Sequence, residues 1–201
     1  MEDTFKTIKE LSEGLLTEKK SKFIAYAIPI RSVDEIKSEV EKYRKKYYDA
    51  RHVCWAYMIG YERKDFRSND DGEPSGTAGK PILGQINSNE LTDILVVVIR
   101  YFGGIKLGTS GLISAYKEAA AEAIANSEII ERTVDIDVNI KYEYPFMNDV
   151  MKIVKDMEPE IISQQFEMDC MMTLRIRKGL YQQLIERLGK VESLIFPDNE
   201  E

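Results

Sequence analysis

Apolar side chains recur along the first part of the chain with the spacings of strands and helices. Residues 22 to 30 are largely apolar and predict a β-strand. Ser32 and Glu35 then form a capping-box pattern, which marks the start of a helix. The apolar residues that follow are spaced by three and four and share one helix face: Val33, Ile36, Val40, Tyr43 and Tyr47. We expect this helix to pack on a sheet.

Two further strands and a second helix are predicted downstream. Residues 53 to 61 are rich in strand-forming side chains, and a polar loop is expected from residue 62 to residue 75. Residues 94 to 101 are aliphatic on both faces, which is typical of a central strand covered on both sides. A glycine-rich turn follows, and residues 112 to 125 form a helical pattern with a stripe of small side chains.

From about residue 134 the pattern restarts in a strand-helix-strand-strand-helix-strand order. The elements are strand 134–142, helix 145–157, strands 160–168 and 170–177, helix 179–189 and strand 191–196. This order is the ferredoxin-like one. The sequence therefore predicts an α+β protein with two domains, residues 1–133 and 134–201, joined by a short connection near Thr133.

Composition and charge limit the kinds of function to consider. The chain has 201 residues, of which 43% are hydrophobic and 31% charged, as in ordinary globular proteins. Its start does not resemble a secretory signal, and no apolar run approaches the ~20 residues that span a bilayer. We expect a cytoplasmic protein without membrane contact. The pattern does not indicate an oligomeric state.

The net charge of −7 argues against coating of nucleic acid through bulk electrostatics. Two local basic clusters remain, and their members are Lys19, Lys20 and Lys22, and Arg44, Lys45, Lys46 and Arg51. Each cluster is interpreted either as a binding patch or as a solvated face. Cys54 and Cys170 lie in apolar stretches and are predicted to be buried free thiols. With one histidine and no Cys/His cluster, no metal and no cofactor are expected.

An acidic, glycine-rich segment at residues 68 to 81 is the first candidate site. It does not fit a phosphate-binding P-loop, because Pro74 replaces the first glycine and Pro81 follows the lysine. Neighbouring aspartates are a weak signal for a cation, so turn formation and surface display are the alternative. The candidate binding residues are Asp70, Asp71, Gly72, Glu73, Pro74, Ser75, Gly76, Thr77 and Lys80.

The strand, turn and helix of residues 96 to 120 form the second candidate. The first amides of a helix point outward unpaired and bind anions, and Lys106 is placed to counter a phosphate. We expect Thr109 or Ser110 to cap the helix. The alternative is that the glycines serve only backbone geometry. The candidate residues are Arg100, Gly103, Gly104, Lys106, Gly108, Thr109, Ser110 and Gly111.

Arg51 and His52, just before a strand, complete the candidate binding set. A single histidine is more often a hydrogen-bonded structural residue than a catalyst. No Ser or Cys nucleophile is tied to it by the sequence. No catalytic residue is therefore predicted, and a role other than catalysis is expected.

Four segments together resemble the YigZ/IMPACT family: residues 18–26, 49–57, 70–83 and 100–116. The resemblance implies an N-terminal ribosomal-protein second-domain-like α/β fold, shared with elongation factor G and with kinases of small metabolites. It implies a C-terminal domain like the ferredoxin-like end domain of elongation factor G. Eukaryotic members bind the activator of a starvation-responsive kinase, but through an additional N-terminal domain, so kinase regulation is not transferred. Many bacterial relatives have a second histidine where this chain has Val53.

Three functions are compared on this basis. The leading hypothesis is a binding protein for RNA, the ribosome or a translation factor, with regulation of translation under stress as its role. The second is a nucleotide or phosphometabolite site at the glycine-rich turn, and the third is a protein-interaction module that uses the acidic loop. If one site exists, the loops 70–80 and 103–111 should meet on one face of the first domain.

Overall fold

The computed structural model of the chain describes residues 3 to 167 and 169 to 197 and has the predicted α+β fold. Its contacts divide the chain near Thr133 into a larger unit, residues 5–132, and a smaller unit that also holds residues 3 and 4. The sequence placed those two residues in the first domain. They lie with the smaller unit because the Asp3 carbonyl accepts from the Val134 amide at 2.7 Å and the Asp3 carboxylate pairs with Arg177 at 2.6 Å. We propose that the two units are separate domains.

Seven strands and three α-helices lie in the larger unit, except that the first residue of the first strand, Thr4, and the last residue of the seventh, Thr133, belong to the smaller unit. The strands are β1 (Thr4–Ile8), β2 (Ser12–Glu18), β3 (Ser21–Pro29), β4 (His52–Ile59), β5 (Asp65–Asn69), β6 (Ile94–Tyr101) and β7 (Ile129–Thr133), and the helices are α1 (Val33–Lys46), α2 (Gly79–Ser88) and α3 (Gly108–Ala125). Five strands form an antiparallel sheet in the order β2-β3-β6-β4-β5. The predicted central position of residues 94–101 is confirmed.

Helices cover both faces of this sheet, which explains why β6 is aliphatic on both sides. One face packs against α1 through its buried residues Ile36, Val40 and Tyr43. The other face packs against α2 and α3, whose small side chains, such as Ala119, allow a close approach. The apolar stripe predicted for α1 is confirmed except at Val33, which is exposed at the helix start.

Two elements occur where the sequence predicted a loop or nothing regular. The expected loop 62–75 contains β5, a polar edge strand held by its register with β4. The helix α2 was missed because no local side chain caps it. Its first amides donate instead to Asp70, and the Ala78 and Gly79 bonds are 3.1 and 2.8 Å long.

The smaller unit follows the predicted element order up to its last strand. It contains β8 (Asp135–Glu143), a 3-10 turn (Tyr144–Phe146), α4 (Met147–Met157), β9 (Glu160–Phe166), β10 (Asp169–Arg177) and α5 (Lys178–Leu188). The strands are ordered β8-β10-β9. The predicted strand 191–196 is wrong in extent: it is reduced to a bridge between Ile195 and Lys141, because the chain turns at Ser193 with φ +66°.

Cys54 and Cys170 are buried free thiols, as predicted. Within the described residues no helix is long and apolar enough to cross a membrane.

The predicted capping box is present at the start of α1 and gives a direct test of the assignment. Ser32 Oγ accepts from the Glu35 amide at 3.3 Å. Replacing Ser32 by Ala should lower the free energy of unfolding by about 1 kcal/mol, because the amide loses its acceptor. Ser38→Ala is the matched control, since Ser38 is exposed in the interior of the same helix. Denaturant unfolding of both variants measures this, and equal stability would contradict the capping role.

Candidate functional site

A cleft of about 400 Å³ opens in the larger unit beside the end of β6 and the start of α3. The start of β4 and the acidic loop before α2 complete its walls. The lining residues are Arg51, His52, Glu73, Pro74, Arg100, Phe102, Lys106, Leu107, Gly108, Thr109 and Leu112. The loops 70–80 and 103–111 therefore contribute to one surface of the unit.

Arg100, near the end of β6, is the buried cation of this cleft. The residue is only 6% exposed, and its Nη1 donates to Glu73 Oε1 at 2.6 Å. Its guanidinium carbon lies 5.6 Å from the ring centre of Phe23 and 5.7 Å from that of Phe102. The two rings fix the orientation of the guanidinium. Its Nε is buried and has no hydrogen-bond partner among the described residues.

Glu73 is the buried counter-charge of Arg100 and belongs to a small hydrogen-bonded network. The same Oε1 accepts from the Tyr116 hydroxyl at 2.8 Å. The Cys54 sulfur lies 3.4 Å from that hydroxyl oxygen and 3.0 Å from the Asp70 carbonyl oxygen, which accepts from the thiol. Burial raises the pKa of Tyr116 and of Cys54. Both groups therefore stay protonated near neutral pH, and the Cys54 thiol is not an activated nucleophile.

His52 connects the cleft to the acidic loop. Its Nδ1 lies 2.8 Å from the carbonyl oxygen of Asp71, and because a carbonyl only accepts, Nδ1 is the donor. Its Nε2 lies 3.9 Å from Glu73 Oε1. The histidine is thus a positioned structural residue with one ring nitrogen at the wall of the cleft.

Asp70 and Asp71 organise their own loop. Asp70 accepts from the amides of Gly76, Ala78 and Gly79 at 2.8–3.1 Å. Burial alone raises the pKa of Asp70, but these bonds more than offset it and hold the pKa below its usual value.

The Asp71 carboxylate receives two bonds from Arg44, at 2.8 and 3.2 Å, and one from the Val53 amide at 2.7 Å. Neither aspartate lines the cleft. The two carboxylates therefore shape the turn, while Gly72, Pro74 and Ser75 of the same loop are exposed.

The helix α3 presents its N-terminus to the cleft. The prediction that Thr109 or Ser110 caps it is wrong: the residue before the helix is Leu107, and no side chain among the described residues caps it. Gly108 adopts φ +72°, a left-handed value that favours glycine, and Thr109 and Ser110 fall within the first turn of the helix. The partial positive charge of the helix end is therefore directed at the cleft.

Gly103 serves close packing rather than binding. A Cβ at this position would lie 2.0 Å from the carbonyl carbon of Lys20. No larger residue fits without a shift of the backbone. This supports the structural interpretation for that glycine.

Two exposed cations stand at the rim of the cleft. Arg51 and Lys106 are solvent-exposed and line the cleft together with Arg100 and Glu73. Three positive charges and one negative charge leave two positive charges in excess, within a chain of net charge −7. Among residues 3–167 and 169–197 no group of His, Cys, Asp or Glu could hold a metal ion.

The candidate residues from the sequence divide into two groups. Those in the cleft are Arg51, His52, Glu73, Pro74, Arg100, Lys106, Gly108 and Thr109. Those outside its lining are Asp70, Asp71, Gly72, Ser75, Gly76, Thr77, Lys80, Gly103, Gly104, Ser110 and Gly111.

The sequence interpretation missed Phe102, Leu107 and Leu112 in the lining, and the role of Tyr116. These side chains carry no charge and look like ordinary core residues. A tyrosine within the alanine-rich stripe of α3 was the one available signal.

The fold and the cleft define an α+β protein with a positively charged cleft in its larger unit, and comparison with known proteins places it in a family. Residues 19–124 match the Impact N-terminal domain. The chain is 37% identical over 144 residues to the IMPACT family member YvyE of Bacillus subtilis, covering 72% of this chain and 66% of that protein. It is 34% identical over 151 residues to the IMPACT family member YigZ of Escherichia coli K12, covering 74% of each.

A crystal structure of a hypothetical protein is similar over 97% of both chains, with 27% identity and a TM-score of 0.75. The chain belongs to the IMPACT family, and the resemblance stated from four sequence segments is confirmed.

The buried pair of Arg100 and Glu73 predicts that removing the Glu73 carboxylate destabilises the protein far more than removing an exposed carboxylate does. Glu73→Ala should lower the free energy of unfolding by roughly 3–5 kcal/mol, because it leaves the Arg100 charge buried and unpaired. Glu39→Ala removes a carboxylate that pairs with exposed Lys42 at 3.0 Å and should change stability only slightly. Denaturant melts of the two variants provide the comparison. A Glu73→Ala protein as stable as Glu39→Ala would refute the structural role of the pair.

Proposed function

We propose that this chain is a non-enzymatic, cytoplasmic binding protein associated with translation, which holds a phosphate group of RNA in the cleft. The observation that carries the proposal is the deep Arg100 guanidinium, which is 6% exposed and lines the cleft with one carboxylate, Glu73, while Arg51 and Lys106 add two further positive charges. This surplus of positive charge favours an anionic ligand.

The neighbouring groups favour the same chemistry. The start of α3 has no side-chain cap among the described residues, and such helix ends bind phosphate through backbone amides. Lys106 and Arg51 add charge at the rim, where it steers and holds an anion. Phosphate contacts give affinity without reading sequence, which suits association with structured RNA such as that of the ribosome.

Membership in the IMPACT family supports the translation-associated part of the proposal. The implied likeness of the two domains to parts of elongation factor G points in the same direction. We propose RNA or the ribosome as the partner, ahead of a protein translation factor, because the cleft presents cations and amides.

A second candidate is a free nucleotide or phosphometabolite. The volume of about 400 Å³ lies in the range of roughly 300–1,000 Å³ that is typical of small-molecule pockets. Thermal shifts of the full chain with nucleotides separate the two, because a small ligand raises the melting temperature in the absence of RNA.

Reversal of one rim charge tests the RNA proposal. Lys106→Glu should abolish RNA or ribosome association with little loss of stability, because it places a negative charge beside the phosphate. Lys117→Glu is the control, since it makes the same charge change at an exposed position of α3 outside the cleft lining. Filter binding or sedimentation with ribosomes measures association, and the wild-type affinity should fall as salt rises.

Two results would end the proposal: RNA association of Lys106→Glu equal to that of Lys117→Glu, or wild-type binding that is insensitive to salt. If Arg100→Ala lowers the melting temperature while Lys106→Glu leaves association intact, the Arg100 cluster is purely structural.

A further inference from the structure

Two chemically different sets of side chains line the cleft. One set is cationic and comprises Arg51, Arg100 and Lys106, beside the start of α3. The other set is apolar and comprises Phe102, Leu107 and Leu112. A phosphodiester backbone needs only the first set, so the apolar set indicates a ligand with an apolar or aromatic part next to its phosphate.

Phe102 is the residue best placed to contact such a part. Phe102 is the first residue after β6 and is 50% exposed. Exposure of so large an apolar ring to water is unfavourable. The Arg100 guanidinium lies 5.7 Å from the ring centre. The exposed portion of the ring remains available, and aromatic side chains of this kind stack on unpaired nucleic-acid bases.

The charges of the lining distinguish a terminal phosphate from an internal one. Arg51, Arg100 and Lys106 against Glu73 leave two positive charges in excess. A phosphate monoester carries about two negative charges near neutral pH, whereas a phosphate inside an RNA strand carries a single one. The lining charge therefore matches a monoester.

The depth of Arg100 leads to the same conclusion. Its side chain is only 7% exposed, so a phosphate that reaches its guanidinium must enter the cleft. An internal phosphate is continued by the chain on both sides, while a terminal phosphate is continued on one side only and brings more free oxygen atoms to the donors.

We infer that the cleft binds the terminal nucleotide of an RNA strand that ends in a phosphate monoester, with the phosphate at Arg100 and the start of α3 and the base against Phe102. This rests on the proposed RNA function and names which part of the RNA the site takes. A free nucleoside monophosphate shares this chemistry, and the experiment separates the two sources.

The test uses the full chain and short unstructured RNA oligonucleotides of one sequence with three kinds of end: a 5′-phosphate, a 3′-phosphate, or hydroxyl groups at both ends. Fluorescence anisotropy gives the Kd of each. At least one phosphorylated RNA should bind about tenfold more tightly than the hydroxyl-ended RNA, and an unlabelled nucleoside monophosphate should compete far better than inorganic phosphate, since stacking adds to the phosphate contact.

Phe102→Ala should reduce the affinity for the phosphorylated RNA about tenfold, as expected for loss of one stacked base. Phe66→Ala is the matched control, because Phe66 is 54% exposed on β5 and does not line the cleft. It should bind like the wild type.

Equal affinity for all three RNAs, or equal binding by the two phenylalanine variants, would overturn the inference. If those RNAs still bind in a manner that depends on salt and on Lys106, the proposed function stands without it. Absence of binding by the wild type both to these RNAs and to ribosomes defeats both. Binding of the nucleoside monophosphate but of none of the RNAs overturns the inference in favour of the free-nucleotide candidate, and binding only of a phosphopeptide overturns it in favour of a protein partner.

Discussion

The buried ion pair between Arg100 and Glu73 is the constraint on which the candidate site depends. Two opposite charges are held together at the end of the central strand, in a place where either alone would be strongly unfavourable. Glu73 reaches this position only because Asp70 and Asp71 use their carboxylates to bind the amides and the arginine that shape the loop. The acidic motif therefore acts mainly through the geometry it imposes, and one of its three acids faces the cleft.

The cleft keeps a net positive charge in an acidic chain, although the charges of Arg100 and Glu73 cancel each other. Glu73 neutralises one cation, while Arg51, Lys106 and the helix end remain available. Because the net charge of −7 repels nucleic acid at long range, specific contact should depend on this one region. A binding protein of this kind does not coat RNA non-specifically, and its affinity for RNA comes from a few groups in the cleft.

Sequence reasoning was accurate where the signal was local. The two-sided aliphatic run predicted the central strand, and Ser32 with Glu35 predicted the start of α1, because burial and capping act over a few residues. It missed α2, whose capping carboxylate, Asp70, lies eight residues before Ala78. It misplaced the cap of α3, since φ at Gly108 cannot be read from a run of small polar residues.

The composition of the site was harder to predict than its location. The two loops were expected to meet, and both contribute residues to one cleft. Most of their residues lie outside the cleft lining and shape the backbone of the loops. The partner of Arg100 could not be read from the sequence, because neighbouring acids alternate in direction and only the tertiary structure selects Glu73. Phe102 carried no signal, since a phenylalanine after a core strand looks like core.

The most direct test follows the Nε–H group of Arg100 by nitrogen-15 NMR, with the resonance assigned by its loss in Arg100→Lys. Addition of RNA should shift this signal in the wild type, because a phosphate then lies beside the Arg100 guanidinium, and should not shift it in Lys106→Glu. If RNA binds the wild type with a measurable Kd while the Arg100 signal stays unchanged, that result contradicts the account.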